Sequence, residues 1–150
     1  MNQIVDIGDF VLVGEVDAGK TSLLMNLLEV DGTAVKTQAV EHYRNNIIDT
    51  PGEYISRRSY YGPLLTALIG IDTILYLHPS NSRSLCMPID LLHVYANKRI
   101  VGVITKTDLE DADIEFSKRL LVDHGIKEPI FEISQKDQET IVALKNFLMR

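Results

Sequence analysis

The chain carries its apolar residues in short bursts. Phe10, Val11, Leu12 and Val13 form a continuous run that stops at Gly14, which is how a strand buried on both faces reads. Leu23, Leu24, Met25, Leu27 and Leu28 then predict a helix over residues 20–29, ended by Asp31-Gly32. Residues 33–37 are polar and read as loop. Residues 39–43 and Ile47-Ile48, joined by Arg44-Asn45-Asn46, predict an antiparallel hairpin at one edge of a sheet. Pro63 suits the first turn of a helix with its body at 64–69 and its end at Gly70. Residues 73–77 predict a further strand, 79–87 a serine-rich loop, and 88–95 a helix with Ile89, Leu92 and Tyr95 on one face. The clearest strand is 99–104, where Ile100, Val101, Val103 and Ile104 surround Gly102. Asp111 or Asp113 caps the next helix, which buries Phe116, Leu120 and Leu121 and stops at His124-Gly125. Residues 129–133 give a last short strand. Asp137 caps a final helix with Ile141, Leu144 and Leu148 on one face.

This alternation predicts an α/β chain of three layers, α/β/α, around a mostly parallel sheet with one antiparallel edge strand. Residues 1–9 read as a lead segment and 10–150 as a single domain. In such sheets ligands sit outside the carboxyl ends of the strands. Three polar, glycine- or acid-bearing segments begin there: 14–21, 49–52 and 105–108.

Composition narrows the ligand. At 150 residues the chain suffices for one core, and 45% hydrophobic with 24% charged residues is ordinary for a globular protein. A net charge of −6 leaves no basic surface for nucleic acid, while a single loop can still bind a small anion. Cys86 is the lone cysteine, no apolar run approaches the roughly 18 residues of a membrane span, and residues 1–9 do not read as a secretory leader, so the expected location is cytoplasmic. The four histidines, His42, His78, His93 and His124, lack metal-ligand spacing.

Gly14-Glu15-Val16-Asp17-Ala18-Gly19-Lys20-Thr21 is a Walker A sequence between a strand and a helix. Gly14 and Gly19 are expected to adopt angles other residues disfavour, turning backbone N–H groups inward around phosphates. The helix N-terminus adds its own donors. Lys20 supplies a charge for the β- and γ-phosphates, Thr21 a hydroxyl for Mg²⁺, and Ser22 completes the binding turn. In Asp49-Thr50-Pro51-Gly52 the carboxylate is placed to hold Mg²⁺ and the Gly52 N–H to contact the γ-phosphate; alone, this pattern is an ordinary turn. Thr105-Lys106-Thr107-Asp108 matches the sequence that reads guanine. Asp108 would accept from the ring N–H and exocyclic amine, the Lys106 stem would cover one face, and Thr105 stands where asparagine is commoner. Ser134 and Gln135 fall where a second base-contacting loop belongs. GTP or GDP with Mg²⁺ is the expected ligand, and ATP fits less well.

These motifs resemble the small Ras-like P-loop GTPases. A narrower resemblance lies in Lys36-Thr37-Gln38-Ala39-Val40-Glu41, in Ile48 through Tyr54, in Arg58 and Tyr61, and in Val103 through Asp108: the chain is similar to the EutP/PduV family of bacterial ethanolamine and propanediol utilisation. The resemblance implies a Ras-like P-loop fold, nucleotide binding and association with microcompartment metabolism, and acetate kinase activity is attributed to some members. It also implies that Thr37 is the switch threonine, completing Mg²⁺ coordination and sensing the γ-phosphate. Glu53 stands where Ras-like proteins place a glutamine that orients water; a carboxylate there repels the γ-phosphate yet accepts a proton, which implies slow hydrolysis. Arg57 and Arg58 are candidate arginine fingers, with ordinary surface arginines the simpler reading. Residues 37–41 and 53–61, the latter with Tyr54, Tyr60 and Tyr61, are candidate surfaces for a shell or enzyme partner. Two features depart from the family pattern: segment 79–88 is shorter, and acidic Glu15 and Asp17 lie inside the phosphate loop, where they oppose anion binding. Three readings remain open: a GTP switch or slow GTPase, a phosphotransferase to acetate, and a non-catalytic adaptor.

Overall fold

The computed structural model describes residues 10–15, 19–29, 47–49, 70–71, 73–85, 99–127, 129–134 and 136–148. The elements, in order, are β1 (Phe10–Gly14), α1 (Lys20–Glu29), β2 (Ile47–Asp49), β3 (Thr73–Pro79), β4 (Arg99–Thr105), α2 (Ile114–Asp123), β5 (Phe131–Glu132) and α3 (Gln138–Leu148). The strands form one sheet in the order β2-β1-β3-β4-β5, and every described pairing is parallel. The expected hairpin partner of β2, residues 39–43, and the helices expected at 64–69 and 88–95 lie outside the described residues.

Both faces of the sheet are covered, which is why β1, β3 and β4 read as continuous apolar runs. On one face Phe10, Leu12, Leu75, Leu77, Val101 and Val103 meet Leu23, Leu24 and Leu27 of α1 and Ile141, Leu144 and Leu148 of α3. On the other, Val11, Val13, Ile74, Tyr76, Ile100 and Ile104 meet Leu121 of α2 and Ile126 beyond it. Each fully buried leucine contributes about 1.5–3 kcal/mol relative to exposure. The three leucines of α1 therefore clamp that helix, with Lys20 at its start, against the sheet.

Asp113, rather than Asp111, caps α2: its carboxylate accepts from the Phe116 N–H at 3.1 Å, while Asp111 accepts from Asn81 Nδ2 at 3.1 Å. Asp137 likewise accepts from the Glu139 N–H at 3.1 Å at the start of α3. Two boundaries differ from expectation. β3 runs on to Pro79, which pairs in register with Thr105; proline is tolerated at a strand end, where no donor is required. β5 is confined to Phe131 and Glu132, because only Val103 and Ile104 of β4 pair with it.

Gly102 lies where α2 and the segment after it approach β4 most closely. A Cβ there would stand 3.1 Å from Ile126 Cγ2, 3.3 Å from Leu121 Cδ1 and 3.4 Å from Ile130 Cγ1. Gly102→Val is accordingly expected to destabilise the fold by about 1–3 kcal/mol through overpacking. An unchanged urea midpoint would show that this interface has slack.

Candidate functional site

Because the strands are parallel, Gly14, Asp49, Pro79, Thr105 and Glu132 all end them at one rim. Gly14 lies directly beside Asp49 in register. Described residues of all three expected segments lie along this rim: the two ends of 14–21, the whole of 105–108, and the backbone of Asp49.

The first turn follows β1. Gly19 has φ +94°, an angle that residues with a Cβ rarely adopt, and its carbonyl accepts the first helical bond of α1 from the Leu23 N–H at 2.9 Å. Lys20 opens α1 and folds back onto the end of β1. Its Nζ donates to the Gly14 carbonyl at 2.8 Å and to the Glu15 carbonyl at 2.5 Å, and the residue is buried. A desolvated ammonium is tolerated only where such acceptors surround it. Gly14 departs from expectation: it has no positive φ and is an ordinary last residue of β1. Its part here is to offer Lys20 a carbonyl. Thr21 and Ser22 are exposed on the first turn of α1. A hydroxyl at Thr21 and a carboxylate at Asp49 are hard oxygen donors of the kind Mg²⁺ takes. Among the described residues no cluster of three or more His, Cys, Asp or Glu could hold a metal, so such an ion would need phosphate and water oxygens to complete its shell. Val16, Asp17, Ala18, Thr37, Gly52, Glu53, Arg57, Arg58 and Gln135 lie outside the described residues.

The second turn follows β4. Thr105 is buried, and Lys106 has φ +59°, a left-handed angle unusual for a side-chain-bearing residue. The Thr107 N–H and Oγ1 both donate to the Ile133 carbonyl, at 3.3 and 3.1 Å, and the Ile133 N–H donates to Ile104 at 2.7 Å. The segment at 105–108 is thereby laced to the one at 133–136. There the Ser134 N–H donates to Thr140 Oγ1 at 3.2 Å and the Lys136 N–H to Ser134 Oγ at 3.2 Å. Asp108 faces Lys136 across 3.4 Å. Its own backbone N–H holds the Asp108 carboxyl below the usual carboxylate range, and Lys136 and the Ser134 hydroxyl act in the same direction against partial desolvation. Asp108 is thus an ionised acceptor at neutral pH.

Sequence reasoning missed Lys136, whose signal is its place just after Ser134 at the end of a strand. It also missed Ser80, fully buried after β3, which no local pattern distinguishes from its serine-rich neighbours. His78 is buried near the end of β3, and its Nε2 is 3.0 Å from the Ser82 carbonyl, so the ring serves the loop's structure. Burial lowers its pKa, against opposing pulls from the Ser82 carbonyl and the Glu15 charge.

Comparison with known proteins shows the family and the fold. The family model described as ethanolamine utilisation – propanediol utilisation matches residues 7–150. A probable acetate kinase EutP of Salmonella typhimurium is 43% identical over 136 residues, covering 91% of this chain and 86% of that protein. GTPase Era of Mycoplasmopsis pulmonis is 32% identical; the match covers 90% of this chain and 52% of that protein, so the chain spans about half of Era's length. Among solved structures, apo translation elongation factor SelB of Methanococcus maripaludis superposes with a TM-score of 0.58 at 23% identity, over 95% of this chain and 33% of that one, a likeness of fold.

His78 gives this region a pH dependence. A neutral buried imidazole with a lowered pKa binds fewer protons than the unfolded chain. Its contribution to stability is therefore complete above the unfolded value, about 6.5, and is lost as pH falls from there through the folded value. Between pH 7.5 and 5.5 the urea midpoint of the unaltered protein should fall further than that of His78→Gln. Equal falls would mean that the imidazole protonates freely in the folded state.

Proposed function

Since the chain belongs to the ethanolamine utilisation – propanediol utilisation family, we propose that it is a GTP-binding P-loop protein, a nucleotide switch or slow GTPase of microcompartment metabolism. The observation that carries this reading is the common rim. Lys20 is folded onto the end of β1 and Asp108 is held ionised beyond the end of β4, with only β3 between those strands. A lysine and a carboxylate so spaced suit the two ends of a nucleoside triphosphate.

Lys20 exchanges its carbonyl partners for phosphate oxygens, and α1 directs its free N–H groups and dipole at the same charge. Thr21, Asp49 and Thr37 would hold Mg²⁺, which would neutralise charge on the phosphates. Asp108 accepts from the two donors on the guanine edge, while adenine in the same place leaves this carboxylate without its partners. Ser134 and Gln135 close the base site. Gly52 contacts the γ-phosphate, and Glu53 replaces a neutral water-orienting side chain with a charge that repels it, so hydrolysis is slow. Residues 37–41 and 53–61 are the surfaces on which a shell or enzyme partner reads the bound nucleotide.

A second reading rests on the relative named a probable acetate kinase. In it an acetate oxygen attacks the γ-phosphorus, the bond to the β–γ bridging oxygen breaks, and acetyl phosphate and nucleoside diphosphate result. A coupled assay with acetate separates the two readings: acetate-dependent nucleotide turnover favours the phosphotransferase, and acetate-independent phosphate release the GTPase.

Titration calorimetry with Mg²⁺ is expected to show GDP binding at least about tenfold more tightly than ADP, the equivalent of one bidentate contact. Equal affinities would sink the guanine assignment. Lys20→Ala should weaken both nucleotides; unchanged affinity would sink the phosphate-loop assignment. Single-turnover GTP hydrolysis should run at or below the order of 10⁻³ per second that unassisted Ras shows, and a rate above about one per second would contradict the role given to Glu53.

A further inference from the structure

We propose that Ser80 is a positioning residue for base specificity: its hydroxyl holds the left-handed turn at Lys106 from which Asp108 is presented. The inference rests on the guanine reading above and adds a residue that lies outside the phosphate and base motifs.

Ser80 follows β3 directly and is fully buried, so a ligand cannot touch it. Three bonds fix its backbone. The Ser80 N–H donates to the Thr105 carbonyl at 2.9 Å, and the Ser80 carbonyl accepts from the Asp113 N–H at 2.8 Å and from Ser117 Oγ at 3.3 Å. With the main chain held on both sides, the hydroxyl is left for one task. It donates to the Lys106 carbonyl at 2.6 Å, across a separation of 26 residues.

That carbonyl belongs to the residue at φ +59°. A left-handed angle costs a residue with a Cβ roughly 1–2 kcal/mol, and it persists only where neighbouring groups reward it. Within the turn, the Leu109 N–H reaches the same carbonyl at a longer 3.2 Å. The Ser80 bond is shorter and comes from a fixed, buried donor. Removing it takes away the shorter of the two bonds to the Lys106 carbonyl and lets that side of the turn relax, while Thr107 keeps its bonds to Ile133. Asp108 lies two residues on, and its discrimination depends on pointing two oxygens at two donors on one edge of the base. Lys20 takes its hold on the Gly14 and Glu15 carbonyls, at the end of β1 and with β3 between it and β4, so the phosphate end can be read separately.

The test is a set of binding ratios on Ser80→Ala. GDP, IDP and ADP are titrated in Mg²⁺, with inorganic pyrophosphate as a probe of the phosphate loop alone. IDP lacks the exocyclic amine, so the GDP:IDP ratio reads the aim of Asp108. We expect that ratio to fall about fivefold or more, the scale of one misdirected charged hydrogen bond, with pyrophosphate affinity unchanged within about twofold. Ser80→Cys keeps the side chain's approximate size with a weak donor; it should give an intermediate ratio, and it is the variant read if the alanine form does not fold. A full GDP:IDP ratio in either folded variant, with the unaltered protein preferring GDP to ADP, overturns this inference alone. An equal loss for all four ligands also overturns it, because it assigns Ser80 a structural role only. No preference for GDP over ADP in the unaltered protein overturns the guanine reading and this inference with it.

Discussion

The site depends on the common direction of the strands. In a parallel sheet every strand leaves its last carbonyl and its outgoing turn at the same edge, and each return must cross over a face. The apolar residues that pay for those crossovers are the ones on both faces of β1, β3 and β4, packed under α1 and α3 on one side and α2 on the other. Burial on two faces fixes each strand's register firmly, since a slip of one residue would still bury side chains but would break their fit to the helices. The turns after β1 and β4 inherit their separation from that register, which is how short loops far apart in sequence can address one ligand.

Within this frame the two turns use opposite electrostatic devices. At the end of β1 a cation is buried on backbone carbonyls. Those bonds offset part of the cost of desolvating the ammonium. At the end of β4 an anion is kept ionised near the surface by its own N–H, a lysine and a serine. The Lys136 pair is exposed on the lysine side, at 81% against 29% for Asp108. Pairs of that kind contribute little net stability. Another directed donor can therefore displace Lys136 from Asp108 at small cost.

The strands were legible because each buried run is continuous and bracketed by Gly, Pro or a polar cluster, as at Val13-Gly14 and Ile104-Thr105. The caps of α2 and α3 were legible as types, though the choice between Asp111 and Asp113 was decided by reach to the Phe116 N–H. What escaped depended on tertiary approach. Gly14 looked like a residue needing an unusual angle, but the last rung of a strand needs none, and in this loop Gly19 is the described glycine with positive φ. Lys136 and Ser80 act only through segments brought to them by the sheet, so their neighbours in sequence carry no trace of the role.

The placement of Ser80 also shows why the two faces of the sheet are not independent of the rim. Its carbonyl binds the N-terminus of α2 and its hydroxyl binds the turn after β4. Arg83, a few residues on, pairs with the capping Asp113 at 3.4 Å and lies 4.4 Å over the Phe116 ring. The loop after β3 is thus fastened to α2 by charge at its surface and by hydrogen bonds at its root. A displacement of α2 along its axis would pull first on Asp113, then on Ser80, and then on the Lys106 peptide. Each link is a single bond of about 1 kcal/mol net, but the three lie in series, so the weakest decides how much motion reaches Asp108. The longest bond in that path is the cap from the Phe116 N–H to Asp113 at 3.1 Å, and the shortest is the one from Ser80 to the Lys106 carbonyl at 2.6 Å, while the Arg83 ion pair lies beside the path. Strain on α2 therefore falls first on the cap at its own N-terminus, and only then on the turn that carries Asp108.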